Sequence, residues 1–337
     1  MLSLLLSMTC ALLGVLAAAS MLPAQSHALR RRVLLAGLVL LVCLPVTRWM
    51  IAISDLGLNV DLVPQASVPV DSTASSGLSW TTCAVVCWLA GAMVMLLRLG
   101  VRWHGMESLT RESKDSSEGQ SLMLHRALAG ICRDAPLPTV RISSKVATAC
   151  VALWKWKPVV LLPEQALAWR VSTLRAVLRH EQEHARRGDI WWRLAGELAL
   201  ALWWWHPLAH AVLRRWSEAC EHVCDDAVLR SGVRPQTYAR SLLALAAAAA
   251  LPTPASAMAF IGRSPSRLRK RVASILSHHG SGAVSNSWLA CFTIGLLTII
   301  LVLAVAVQLK HEDTMRQAML QSEAKLRLDA NPFPGNP

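Results

Sequence analysis

Four apolar runs of about twenty residues, the length an α-helix needs to cross a bilayer, constrain this chain more than any other feature. They are Leu2–Leu22, Val33–Ile53, Leu78–Leu97 and Trp288–Gln308. The first carries no charge, and the second only Arg48, near its outer end. Hydrocarbon offers no water to backbone N–H and C=O groups, so a run that enters a membrane satisfies them internally, as a helix. Trp49, Trp80 and Trp288 stand near run ends, where an indole sits well at the lipid–water boundary. The composition points the same way: mean hydropathy is +0.40, with 14 Trp against three Phe and one Tyr. No basic stretch precedes the first run, so it reads as an uncleaved span rather than a signal peptide.

The basic residues set the orientation. Arg30, Arg31 and Arg32 lie between the first two spans, and the loop after the second holds Asp55, Asp61 and Asp71 with no Lys or Arg. Between spans three and four lies most of the Arg, including Arg98, Arg102, Arg267, Arg269 and Arg271. Positive charge stays inside, which predicts a multi-pass protein of the cell inner (plasma) membrane with both termini extracytoplasmic. The chain divides into a membrane region at 1–102, a cytosolic domain at 103–286, a fourth span at 287–309 and a short extracytoplasmic tail at 310–337. The net charge of +13 then reflects topology and attraction to anionic lipid. No nucleic-acid-binding motif accompanies it, so no direct nucleic-acid binding is expected.

Within the cytosolic region, His180-Glu181-Gln182-Glu183-His184 has the pattern of a zinc-protease site. Two histidines four apart lie on one helical face and reach one ion, while the intervening Glu181 can take a proton from metal-activated water. No Gly or Pro occurs from Leu174 to Arg187, which favours the helix. A catalytic zinc needs a third protein ligand. Glu221 and Asp225 form a Glu-x-x-x-Asp pair on one face of a second helix. Glu221 can complete the site, and Asp225 can hold a histidine by its other nitrogen. Glu218, which shares that face, is the reserve ligand; His222 and Asp226 compete less well.

Five pieces then carry a resemblance: KPVVLLP (Lys157–Pro163), LRAVLRHEQEHARRGD (Leu174–Asp189), WWWHPLAH (Trp203–His210), EHVCDDAVL (Glu221–Leu229) and TYARSLLALA (Thr237–Ala246). With them, the segment from about Leu124 to Leu276 resembles the membrane-embedded zinc metallopeptidases of the BlaR/MecR-type antibiotic sensors. The resemblance implies an α-helical membrane protein with four transmembrane helices and a cytosolic α+β gluzincin-like metallopeptidase domain. It implies Zn2+ held by His180, His184 and Glu221, with Glu181 as catalytic base. It also implies a protein substrate, such as a transcriptional repressor or the chain itself. The penicillin-binding domain that those sensors carry after the last span is expected to be lacking, since only 310–337 follow it.

Two other readings compete. A non-proteolytic signalling scaffold would have no use for Glu181 as a base. A CaaX-type or quality-control membrane metalloprotease shares His-Glu-x-x-His, but KPVVLLP and the Trp-rich His-Pro segment favour the sensor type.

The remaining segments are expected to support this site. Leu194–Leu213 could be a fifth span, but a crossing would part His180 and His184 from Glu221. Glu197 and the His206-Pro207 break also make it costly. It reads instead as two helices meeting near Pro207, buried in the protease or dipping into the cytoplasmic leaflet. Glu107–Gly119 reads as a linker, and Ser121–Arg133, Pro235–Ala250 and Ser266–Leu276 as helices. Thr139–Ser143 and Val159–Leu162 read as strands, the latter able to offer its edge to an extended peptide or to support the metal helix. Cys220 and Cys224, one turn apart beside Glu221, could ligate metal or sense oxidation, and are expected instead to pack inward behind the ligand helix. Tyr238, His206 and His222 are the candidates for stabilising an oxyanion.

Overall fold

The computed structural model describes residues 2–23, 26–58, 80–115, 139–249, 265–277, 315–323 and 325. Three long helices come first: α1 Leu2–Met21, α2 His27–Leu58 and α3 Trp80–Glu112. They cover the first three predicted spans, and Thr82–Glu112 has the length and apolarity to cross a membrane. Every α3 residue from Thr82 to Ala90 is exposed, including Val85, Val86 and Leu89, a surface that suits lipid rather than water. The fourth predicted span, Trp288–Gln308, and the helix expected at Ser121–Arg133 lie outside the described residues.

The expected linker at Glu107–Gly119 begins as helix instead. Arg111 pairs with Glu107 at 2.8 Å, and Ser108 donates to Glu112 at 3.1 Å. These one-turn partners hold the last turn of α3. The chain then enters β1 (Lys114–Asp115), which pairs with β2 (Thr139–Ser143).

The sheet also contains β3 (Cys150–Trp154) and β4 (Lys157–Pro163), in the order β1-β2-β4-β3. β2 runs parallel to β4 with Thr139 opposite Val159, and β3 runs antiparallel to β4 with Cys150 opposite Leu161. β4 is therefore not an edge. Both of its sides are paired, and Val159–Leu162 are buried on both faces, as an uninterrupted apolar run dictates. Among the described residues, the open edge on that side belongs to β3.

After a 3-10 turn at Glu164–Ala168 come α4 (Val171–Arg187), α5 (Asp189–Leu202), α6 (Pro207–Arg230), α7 (Pro235–Ala249) and α8 (Pro265–Leu276). Gly188 ends α4 in the left-handed region, with φ of 64°, a conformation glycine adopts without penalty. Pro207 opens α6 at its first position, where no N–H is needed. The apolar run Leu194–Leu213 is thus a hairpin. Its first arm, α5, has 14 residues, about 21 Å, too short to span.

Four apolar clusters position these elements. Leu174, Val177 and Leu178 of α4 pack on Val140, Val160 and Leu162 of the sheet. The opposite sheet face, with Val159 and Leu161, meets Met106 and Leu109 of α3. Ala176, Val228, Tyr238 and Ile275 join α4, α6, α7 and α8. The largest cluster buries Leu12 and Val15 of α1 and Leu34 and Leu38 of α2 against Val212, Leu213 and Trp216 of α6. The α5–α6 turn seats among the first three helices. Trp203 Nε1 donates to the Leu41 carbonyl at 2.9 Å, Trp204 Nε1 donates to that of Trp88 at 3.2 Å, and His206 Nε2 lies 3.3 Å from Thr9 Oγ1.

Candidate active site

The helical pitch of α4 sets His180 and His184 one above the other, with ring centroids 5.0 Å apart. α6 crosses in front of them. His180 Nε2 is 3.4 Å from Glu221 Oε2, and His184 Nε2 is 3.5 Å from Glu221 Oε1. The opposite nitrogens are both engaged. His184 Nδ1 is 2.9 Å from Asp189 Oδ2, while His180 Nδ1 is 3.2 Å from Asp225 Oδ1 and 3.1 Å from Tyr238 Oη. A neutral imidazole that donates from Nδ1 presents a lone pair at Nε2. Both Nε2 atoms face the Glu221 carboxylate.

The two aspartates are held in turn. Asp189 accepts from Arg187 Nη2 at 2.6 Å and from Arg31 of α2 at 2.7 Å. Asp225 accepts from Tyr238 at 2.8 Å and takes two bonds from Arg271 of α8, at 2.6 and 2.8 Å. The third guanidinium nitrogen, Arg271 Nη1, lies 2.9 Å from Glu221 Oε2. One arginine therefore fixes both acidic residues of the Glu-x-x-x-Asp pair.

Burial and charged neighbours shift the titration of the groups at the centre. Burial opposes a charge on His180, yet Cys224, Asp225 and Glu221 outweigh it and lift its pKa to about 10. Burial, Cys224, Asp189 and Glu221 act in the same senses on His184, which is also raised. Burial would raise Glu221, but Arg271 and both histidines hold it well below the usual carboxylate range. Glu181 is the exception: burial pushes its pKa up, and the nearby histidines offset this only in part. Its carboxyl makes no hydrogen bond with a described residue.

Nitrogen, nitrogen and carboxylate oxygen form a donor set that suits a divalent cation. Two atoms bound to one tetrahedral zinc at about 2.0–2.1 Å stand about 3.3 Å apart, close to the separations found. His180, His184 and Cys224 also form a group with candidate ligand atoms within 4.8 Å of one another. The thiol, however, accepts at 2.9 Å from Arg187 Nη2, the nitrogen that also binds Asp189. That puts Cys224 on the Nδ1 side, behind His184, while Glu221 faces the Nε2 side. Cys220 is buried on the same helix.

The other candidates fall away from the centre. Glu218 pairs with Arg267 at 3.4 Å, and His222 stacks on His27 at 4.7 Å. His206 precedes Glu221 by fifteen residues, about 22 Å along α6. Tyr238 is committed to Asp225 and His180, which leaves its hydroxyl no oxyanion to serve.

Sequence reasoning missed two residues. Asp189 had a local signal, because a glycine in the left-handed region ends α4 and turns the next carboxylate back onto His184. Arg271 had none. It lies 46 residues from Asp225 in a basic stretch that reads as topology.

Residues 63–275 match a family model described as BlaR1 peptidase M56. No curated protein matches the chain.

Proposed function

The chain belongs to the BlaR1 peptidase M56 family, and from that premise we propose that it is a membrane-bound zinc endopeptidase of regulatory or signalling proteolysis. Its substrate is a cytosolic protein such as a transcriptional repressor, the chain itself, or both. The observation that carries the reading is the convergence of two imidazole Nε2 atoms on the Glu221 carboxylate, with the buried Glu181 beside them.

In this reading His180, His184 and Glu221 are the metal ligands. A zinc ion held by them supplies Lewis-acid polarisation of a carbonyl and a water of lowered pKa. Asp189 and Asp225 hold the Nδ1 side of the two rings, which orients each Nε2 toward the metal position and makes it more basic. Glu181, its carboxyl raised by burial, accepts a proton from the attacking water and passes it to the leaving amine. The side of β3 away from β4, which meets no further strand among the described residues, can hold an extended peptide by backbone hydrogen bonds, with little demand on its sequence. The protein sits in the inner membrane with the protease domain cytoplasmic and both termini outside.

The test compares cells carrying wild type and Glu181→Gln for cytosolic or self-cleavage products. A product should appear with the wild type and vanish with the variant, at equal abundance in the membrane. Unchanged downstream signalling by Glu181→Gln would replace the protease with the scaffold.

A further inference from the structure

The β3–β4 hairpin has a two-residue tip, Lys155-Trp156, because Trp154 pairs with Lys157. Both tip residues occupy the left-handed region, with φ of 49° and 64°. Two-residue hairpins take this conformation most readily with Asn-Gly or Gly-Gly, and ordinary side chains adopt it only under strain. Strain of this kind persists where a side chain is required for another reason. Packing supplies no full reason, since Trp156 is 69% exposed. Its ring lies parallel to Trp191 of α5 at 5.8 Å and tilted on Trp103 of α3 at 5.4 Å.

The position of this tryptophan cluster along α3 is the second observation. Large exposed apolar side chains on α3 begin at Trp80 and run to Leu97, where the exposed Arg98 ends the uncharged stretch. That belt is about 26 Å long, near the roughly 30 Å of a bilayer's hydrocarbon. Trp103 follows six residues later, about 9 Å further along the axis and at the depth of the headgroups, where indoles are favoured. Trp156 and Trp191 stand at the same level, because they contact its ring directly or through one another.

Charge is the third. Lys155 and Lys157, both exposed, flank the exposed ring, and neither forms an ion pair with a described residue. Between hairpin and α3 lies a groove of about 210 Å³ whose lining includes Met106, Leu153 and Trp154. Its one acidic residue, Glu107, is paired with Arg111.

We propose that the Lys155-Trp156-Lys157 tip is a binding site for anionic phospholipid headgroups, clamping the sheet to the leaflet that α3 leaves after Leu97. The proposal rests on α3 crossing the bilayer and not on the protease activity. The clamp holds the open edge of β3 close to the membrane surface and so restricts peptides to those that reach it.

The full chain is placed in nanodiscs of phosphatidylcholine alone and of an equal mixture with phosphatidylglycerol, and amide exchange is followed at the Lys155-Trp156 turn. Exchange should slow in the anionic discs by about fivefold or more for each engaged lysine. Lys155→Gln with Lys157→Gln should abolish the difference between lipids, and Trp156→Gly, which relieves the backbone, should raise exchange in both. Equal exchange of the wild type in the two discs would overturn the proposal, as would a lipid dependence that survives the double glutamine change. Protection seen in both lipids, but only when two chains share a disc, would assign the tip to a second copy. Failure to enter either disc would sink the membrane reading of α3 along with the clamp.

Discussion

The two halves of α6 lie on one helix and meet opposite chemistry. Its first half turns Ala209, Val212, Leu213 and Trp216 onto α1 and α2, in a cluster made of apolar contacts. Its second half turns Glu221 and Asp225 onto two histidines and Arg271. Apolar packing is non-directional and tolerates exchange of side chains of similar volume. Buried polar networks have no such tolerance, because each lost partner strands another group. A helix of 24 residues, about 36 Å long, thus ties a forgiving end to an unforgiving one.

The largest break in that comparison is at the base. Glu181→Gln should lower peptide cleavage by about 10²–10⁴-fold, the usual contribution of a general base. It should leave one zinc per purified chain. Glu221→Ala should lose the metal, as should His180→Ala and His184→Ala, measured by elemental analysis. Full metal in Glu221→Ala would transfer its role to Cys224.

The aspartates behind the histidines should come next. Asp189→Ala and Asp225→Ala should each weaken zinc by about 10–100-fold in chelator competition, the common effect of removing a partner of a metal ligand. Leu213→Met, at the apolar end of the same helix, should leave zinc affinity unchanged. Equal weakening by all three would mean that the two ends of α6 are one cooperative unit and not two.

A smaller effect is expected where the α5–α6 turn meets α3. A Cβ on Gly91 would lie 2.1 Å from the Trp204 ring, so the ring or the turn must shift. Gly91→Ala should cost about 1 kcal/mol, the low end for overpacking, since Trp204 is only partly buried and can rotate. A lowered Tm with unchanged zinc affinity is the expected pair of readings. A change in affinity would show that the turn is coupled to the metal site.

Local patterns made much of this legible. Spacing alone set His180 and His184 on one face and Glu221 with Asp225 on another, because a helix repeats every 3.6 residues. The break at Pro207 and the strands β2 and β4 were readable from proline and β-branched residues. What escaped depends on partners far along the chain. β3 is five residues without alternation, and only its pairing with β4 identifies it. The unbroken apolar run of β4 marks a strand buried on both faces, but which strands flank it follows from the strand order, which no local pattern encodes. Arg271 is indistinguishable in sequence from its basic neighbours until α8 packs on α6.

The smallest prediction uses pH to separate the ends of α6. Asp226 is partly exposed, yet burial and then the neighbouring Asp225 charge raise its pKa to about 6, above the ordinary aspartate range. Its neutral form is therefore the one the fold favours. The stability associated with that form is fully present below about pH 4 and is lost as pH rises through 6. A rise of that size would correspond to about 3 kcal/mol, but solvent screening at a partly exposed site reduces this to about 1 kcal/mol or less. Asp226→Asn removes the ionisation. It should leave Tm unchanged at pH 4 and raise it at pH 7.5 by about 1–2 °C, the scale for a chain of this size. Leu213→Met should shift Tm equally at both values, because it changes an apolar side chain within an apolar cluster. A gain for Asp226→Asn that is the same at both pH values would trace the effect to packing rather than to charge, and the contrast between the two ends of the helix would lose its electrostatic half.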